Sequence, residues 1–162
     1  MTTTRLLIAV GTVLVLGAVN YSILGKERIK SNGEVIFIEL GPCDPRSIMQ
    51  GDYMALRFPL AQQIAASWGP TGAPREGEMR MANIIVNDQR VAALAGPGAA
   101  GPTLPICYRV RNHEVWLGTN AFFFEEGSDK RYATARYGEF RLDSASGEAV
   151  LVGLRDAKLN PL

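Results

Sequence analysis

Two rhythms divide the chain. From Leu6 to Leu24 the sequence LLIAVGTVLVLGAVNYSIL is apolar and uncharged, broken only by Thr12, Asn20, Tyr21 and Ser22. Such a run of about 19 residues, at 1.5 Å per residue, spans roughly 28 Å as a helix, close to a bilayer core. The next stretch, GKERIKSNG, is polar and ends on the helix-breaking pair Asn32-Gly33. Beyond it the apolar residues come in short runs that alternate or carry β-branched and aromatic side chains, the mark of strands.

The pattern predicts a strand over residues 34–40 (EVIFIEL), ended by Gly41-Pro42, and a second opened by Gly51. Leu60, Ile64 and Trp68 recur four apart behind Pro59 and predict a short helix. Residues 78–95 read as a hairpin around Asn87-Asp88-Gln89, and the Gly/Pro/Ala-rich 96–105 as a mobile loop. Residues 106–111 and 114–117 read as a hairpin around Asn112-His113. Then follow an aromatic strand over 121–125, a short helix within 129–135, and a last hairpin from 138–142 and 148–154. The fold class is mainly β: a compact β-sandwich or partly open barrel with one or two short helices, preceded by one N-terminal transmembrane helix. The division is an anchor over residues 1–25, a juxtamembrane linker over 26–33 that can extend the helix, and a β-rich domain over 34–162.

The apolar run fits an uncleaved anchor or a signal peptide. Cleavage needs small residues at −3 and −1, and the best candidate, Val15-Leu16-Gly17, is poor. The run also continues past it to Leu24, so we read an anchor, with the bilayer as partner through residues 6–24. Orientation pulls two ways. Lys26, Arg28 and Lys30 outnumber Arg5, which by the positive-inside count holds the domain inside. A short charged start followed by an apolar run is, however, how chains are exported. We read a bacterial inner-membrane protein, single-pass, with its domain on the periplasmic side.

Composition narrows the partners. The net charge is +1 and no basic run occurs, so no nucleic-acid partner is expected. The two cysteines, Cys43 and Cys107, form a candidate disulfide that an export compartment permits. The alternative is two separate thiols. One histidine and two distant cysteines give no metal-binding pattern, and no cofactor is expected.

The stretch GDYMALRF, residues 51–58, is the most distinctive. Gly51 suits a turn with positive φ, and Asp52 can hydrogen-bond a neighbouring backbone N–H. Beyond them Met54, Leu56 and Phe58 share one face of a strand, and Tyr53, Ala55 and Arg57 the other. The first set is core; the second is open to a ligand, a partner or another strand. Gly51-Asp52-Tyr53-x-x-Leu56-x-Phe58 resembles the signature of the bacterial GDYXXLXY protein family, with Phe58 where the motif has tyrosine. DPRSIMQGDY, FFFEEG and the layout of apolar segment then small domain resemble that family too. The resemblance implies a membrane-associated protein encoded beside polytopic membrane proteins. It supplies a location and a type of partner, not a reaction.

Catalytic sets are weak. Ser47 before Gly51-Asp52 invites comparison with membrane-anchored Ser/Lys peptidases, but beyond Lys26 and Lys30 the only lysines are Lys130 and Lys158, both in polar surroundings. Glu125 and Glu126 follow Phe124 as a second candidate patch, yet neighbours on a strand face opposite sides. His113 sits in a hairpin turn. Asp44, Arg46, Asp52 and Arg57 bracket one loop and its strand, as a bracing network or as an anion site. The leading expectation is a non-enzymatic, membrane-anchored accessory or interaction subunit of a polytopic membrane protein. A small-molecule or anion-binding domain is the alternative, and a hydrolase the weakest reading.

Overall fold

The computed structural model describes residues 2–42, 53–69, 72, 74–96, 98–99, 101–125 and 127–162. The apolar run forms helix α1, Thr2–Asn32, which continues unbroken through the juxtamembrane segment expected to be a linker. It ends at Gly33, whose N–H donates to the Ile29 carbonyl at 2.7 Å. A Cβ at Gly33 would stand 2.4 Å from that oxygen and 3.0 Å from Arg141 Cβ, so the chain turns into the domain only with glycine here.

The strands are β1 Glu34–Glu39, β2 Tyr53–Ala55, β3 Met79–Val86, β4 Ala92–Leu94, β5 Leu104–Arg111, β6 Glu114–Trp116, β7 Ala121–Phe123, β8 Tyr137–Leu142 and β9 Ala149–Arg155. Helices α2, Pro59–Ala66, and α3, Asp129–Tyr132, interrupt them. Three antiparallel groups form: β1-β8-β9, β4-β3-β5-β6 and the small pair β2-β7. A parallel bridge between Phe37 and Val91 brings β1 beside β4, and Phe37 N donates to Arg90 O at 2.8 Å. Cys107 N donates to Gly147 O at 2.7 Å, so β5 meets the β8–β9 turn. The result is a curled half-barrel, which is the open-barrel form of the expected fold.

The core follows from alternation. Ile36 and Ile38 of β1, Ile106, Tyr108 and Val110 of β5, and Phe140 and Leu142 of β8 all point inward. Helix α2 closes the core with Leu60 and Ile64, starting on Pro59, which lacks only an N–H the first turn would not use. The β5–β6 hairpin turns on Asn112 (φ 50°) and His113 (φ 62°), the paired left-handed conformations of a two-residue turn. Leu104 and Pro105, expected in the mobile loop, already belong to β5.

Three contacts fix α1 to the domain. Ile29 is buried, unlike the other residues of the helix whose side chains are described. Lys26 Nζ pairs with Glu148 at the start of the β9 hairpin arm. Arg141 Nη1 donates to Gly33 O at 3.4 Å. These contacts place the end of the helix against β8 and β9.

Candidate functional site

The motif strand builds the core side as its alternation predicts. Met54, Leu56 and Phe58 are buried, while Tyr53 and Arg57 are exposed. Phe58 packs edge-on against Phe140 at 5.6 Å between ring centroids. Gly138 makes room for both: a Cβ there would meet Phe140 Cε2 at 2.9 Å and Phe58 Cε1 at 3.5 Å. The ring at position 58 is thus a core element. Leu56 N donates to Asn120 O and Gly41 N donates to Arg57 O, both at 2.7 Å, adding backbone ties between this stretch and its neighbours.

Tyr53 is paired in register with Phe123 across β2–β7, and their rings lie 5.8 Å apart. Arg57 makes no ion pair among the described residues. The expected partners Asp44, Arg46, Gly51 and Asp52 lie outside the described residues, as do Cys43, Ser47 and Glu126. Cys107 carries a free, half-buried thiol on β5. Phe124 packs on Tyr132 at 5.1 Å, and Glu125 is exposed, its carbonyl accepting from Ser128 N at 3.1 Å. Lys130, Lys158 and His113 are all exposed. Among the described residues no group of three or more His, Cys, Asp or Glu side chains could hold a metal ion.

A lined concavity lies elsewhere on the domain. A cleft of about 760 Å³ opens on the outer face of β3-β5-β6, bounded by β7 and the β8–β9 hairpin. Met79 of β3, Trp116 of β6, Phe122 and Phe123 of β7 and Leu151 of β9 supply a largely apolar wall. Three cations stand on it: Arg109 and Arg111 of β5, and Lys26 from the end of α1. Neither Tyr53 nor Arg57 lines it; Tyr53 touches its wall only through Phe123.

Register explains the arrangement. Met79 pairs with Arg109, and Arg109 with Trp116, across three adjacent strands. Arg109 Nη2 approaches Met79 Sδ at 2.9 Å, and the Arg111 guanidinium lies 4.6 Å from the Trp116 ring centroid. Of the cations, Lys26 is matched by Glu148, whereas Arg109 and Arg111 form no ion pair among the described residues. The sequence carried this signal in CYRVR, where residues 107, 109 and 111 recur on one strand face, and in Met79 and Met81 at the same spacing. The spacing marks one face of each strand but not that β3 and β5 lie side by side.

Fold and site define a curled β-domain borne on one N-terminal helix long and apolar enough to cross a membrane. The family model of the GDYXXLXY protein matches residues 15–154, and the chain belongs to that family. No curated protein and no solved structure matches the chain.

Proposed function

We propose that the protein is a membrane-anchored, non-enzymatic accessory or interaction subunit of a polytopic protein of the bacterial inner membrane, with its β-domain on the periplasmic side. The observation that carries this reading is the joint between helix and domain. Helix α1 is apolar and exposed along its candidate span, then locks onto the domain through Ile29, Lys26–Glu148 and Arg141. Such a pose suits a subunit that presents one face to a membrane neighbour. The helix surface itself is available: an added Cβ at Gly11 or Gly17 would meet nothing within 4 Å, so a second helix can approach closely there.

The test is co-expression with the polytopic protein of the adjacent gene, followed by affinity purification in mild detergent. The two should elute together in fixed ratio, and replacing residues 6–24 with an unrelated apolar span should release the partner while leaving the domain folded. Elution of the chain alone across several mild detergents overturns the proposal.

A further inference from the structure

We propose that the cleft on the β3-β5-β6 face binds an anionic phospholipid from the adjacent leaflet, its phosphate held by Arg109 and Arg111 and an acyl chain laid along Met79, Trp116 and Phe123. This goes beyond the accessory-subunit reading and rests only on its membrane-anchor part.

The first argument is where the exposed apolar surface lies. Outside α1, the exposed large hydrophobic residues among those described are Tyr53, Met79, Met81 and Phe123. All four sit at this one face: Met79 and Phe123 line the cleft, Tyr53 stacks on Phe123, and Met81 follows Met79 on the same side of β3. Phe123 is 74% exposed and Met81 59%, values that scattered surface residues reach singly but rarely in a cluster.

The second argument is charge. Arg109 and Arg111 rise from the apolar wall with no carboxylate partner among the described residues, and the single acidic residue of the lining, Glu148, is taken by Lys26. An apolar wall with two uncompensated guanidinium groups fits a ligand with a tail and an anionic head. Arginine also suits phosphate better than lysine, through its fork of donors.

The third argument is position. Lys26, a lining residue, is two residues beyond Leu24, the last residue of the apolar run, so the cleft begins about 3 Å along the helix from the hydrocarbon edge. A bilayer lipid reaches this site by moving a short distance upward, and the Lys26–Glu148 pair places the end of α1 at the edge of the cleft.

The experiment uses the full chain in nanodiscs. Trp68→Phe leaves Trp116 as the sole tryptophan of the two. Trp116 emission is then compared in nanodiscs containing tail-brominated phosphatidylglycerol or tail-brominated phosphatidylcholine at equal mole fraction. The expected result is stronger quenching by the anionic lipid. The preference should fall roughly fivefold per cation removed in Arg109→Gln and Arg111→Gln, and be kept only in part in the Arg109→Lys, Arg111→Lys double variant. Equal quenching by both lipids overturns headgroup recognition. Absence of quenching by either, while liposome flotation shows the chain on the membrane, overturns the site and leaves the anchor standing. Failure to float sinks the anchor reading and the lipid proposal with it. Shielding of Trp116 only when the polytopic partner is added would assign the cleft to a protein segment and overturn the lipid.

Discussion

Phe58 stands where the family motif has tyrosine, and its surroundings explain why a ring without a hydroxyl serves. The ring is buried between Phe140 and the space left by Gly138, so it acts through packing. A second residue-scale feature is the ion pair of Glu139 and Arg155. Arg155 Nε donates to Glu139 Oε2 at 2.7 Å and Nη2 lies 2.5 Å from the same oxygen, with the guanidinium 5.9 Å from the Phe37 ring. Removing one partner leaves a charge in poor contact with water. Arg155→Ala should destabilise by about 2 kcal/mol, below the range for a fully buried pair because the two side chains keep 22% and 12% exposure. Arg155→Met combined with Glu139→Leu should recover most of the loss. Urea unfolding of the detergent-solubilised chain measures both. Nothing in the sequence pairs these residues, since they meet only once β8 and β9 are in register.

At the scale of elements, the sequence was most legible where alternation met turn chemistry. The hairpins at 78–95, 106–117 and 138–154 and the helix behind Pro59 stand where the pattern placed them. The β8–β9 turn shows why: Asp143 accepts from Ser146 Oγ at 2.6 Å and Ala145 N at 3.2 Å, a local device readable in DSASG. These bonds hold the Asp143 carboxyl below its ordinary value, and Asn160 does the same for Asp156 in the tail turn. Glu78, at the entry to β3, is lowered chiefly by Arg80. A folded-state value below the unfolded one adds stability above the unfolded pKa, about 4, and loses it as pH falls through the folded value. Unfolding midpoints should therefore drop below about pH 4, and Asp143→Asn with Asp156→Asn should flatten that acid limb while lowering stability at neutral pH. An unchanged acid limb in the double variant would assign the loss to other carboxylates. What the pattern did not show was the cleft, because it is assembled from β3, β5, β6, β7 and β9, whose neighbour relations no local rhythm encodes.

At the scale of the whole molecule, orientation decides between compartments. A phosphatase reporter fused after Leu162 should be active if the domain is periplasmic, and a cytoplasmic fluorescent reporter fused there should be dark; the reverse pair would place the domain inside. The sequence left this open because Lys26, Arg28 and Lys30 argue against the export-like start. The structure adds something the charge count omits: Lys26 is engaged with Glu148, so one of those cations is already paired within the domain.

That joint has a mechanical consequence. A helix of 31 residues is about 46 Å long, and its last turns are held against the β-domain through Ile29 and Lys26. It works as a lever arm. Spanning helices answer a thinner or thicker bilayer by changing tilt, and on the proposed reading, with α1 in the bilayer, the contacts of Ile29 and Lys26 would carry the domain along with that tilt. The direction the domain faces would then depend on bilayer thickness.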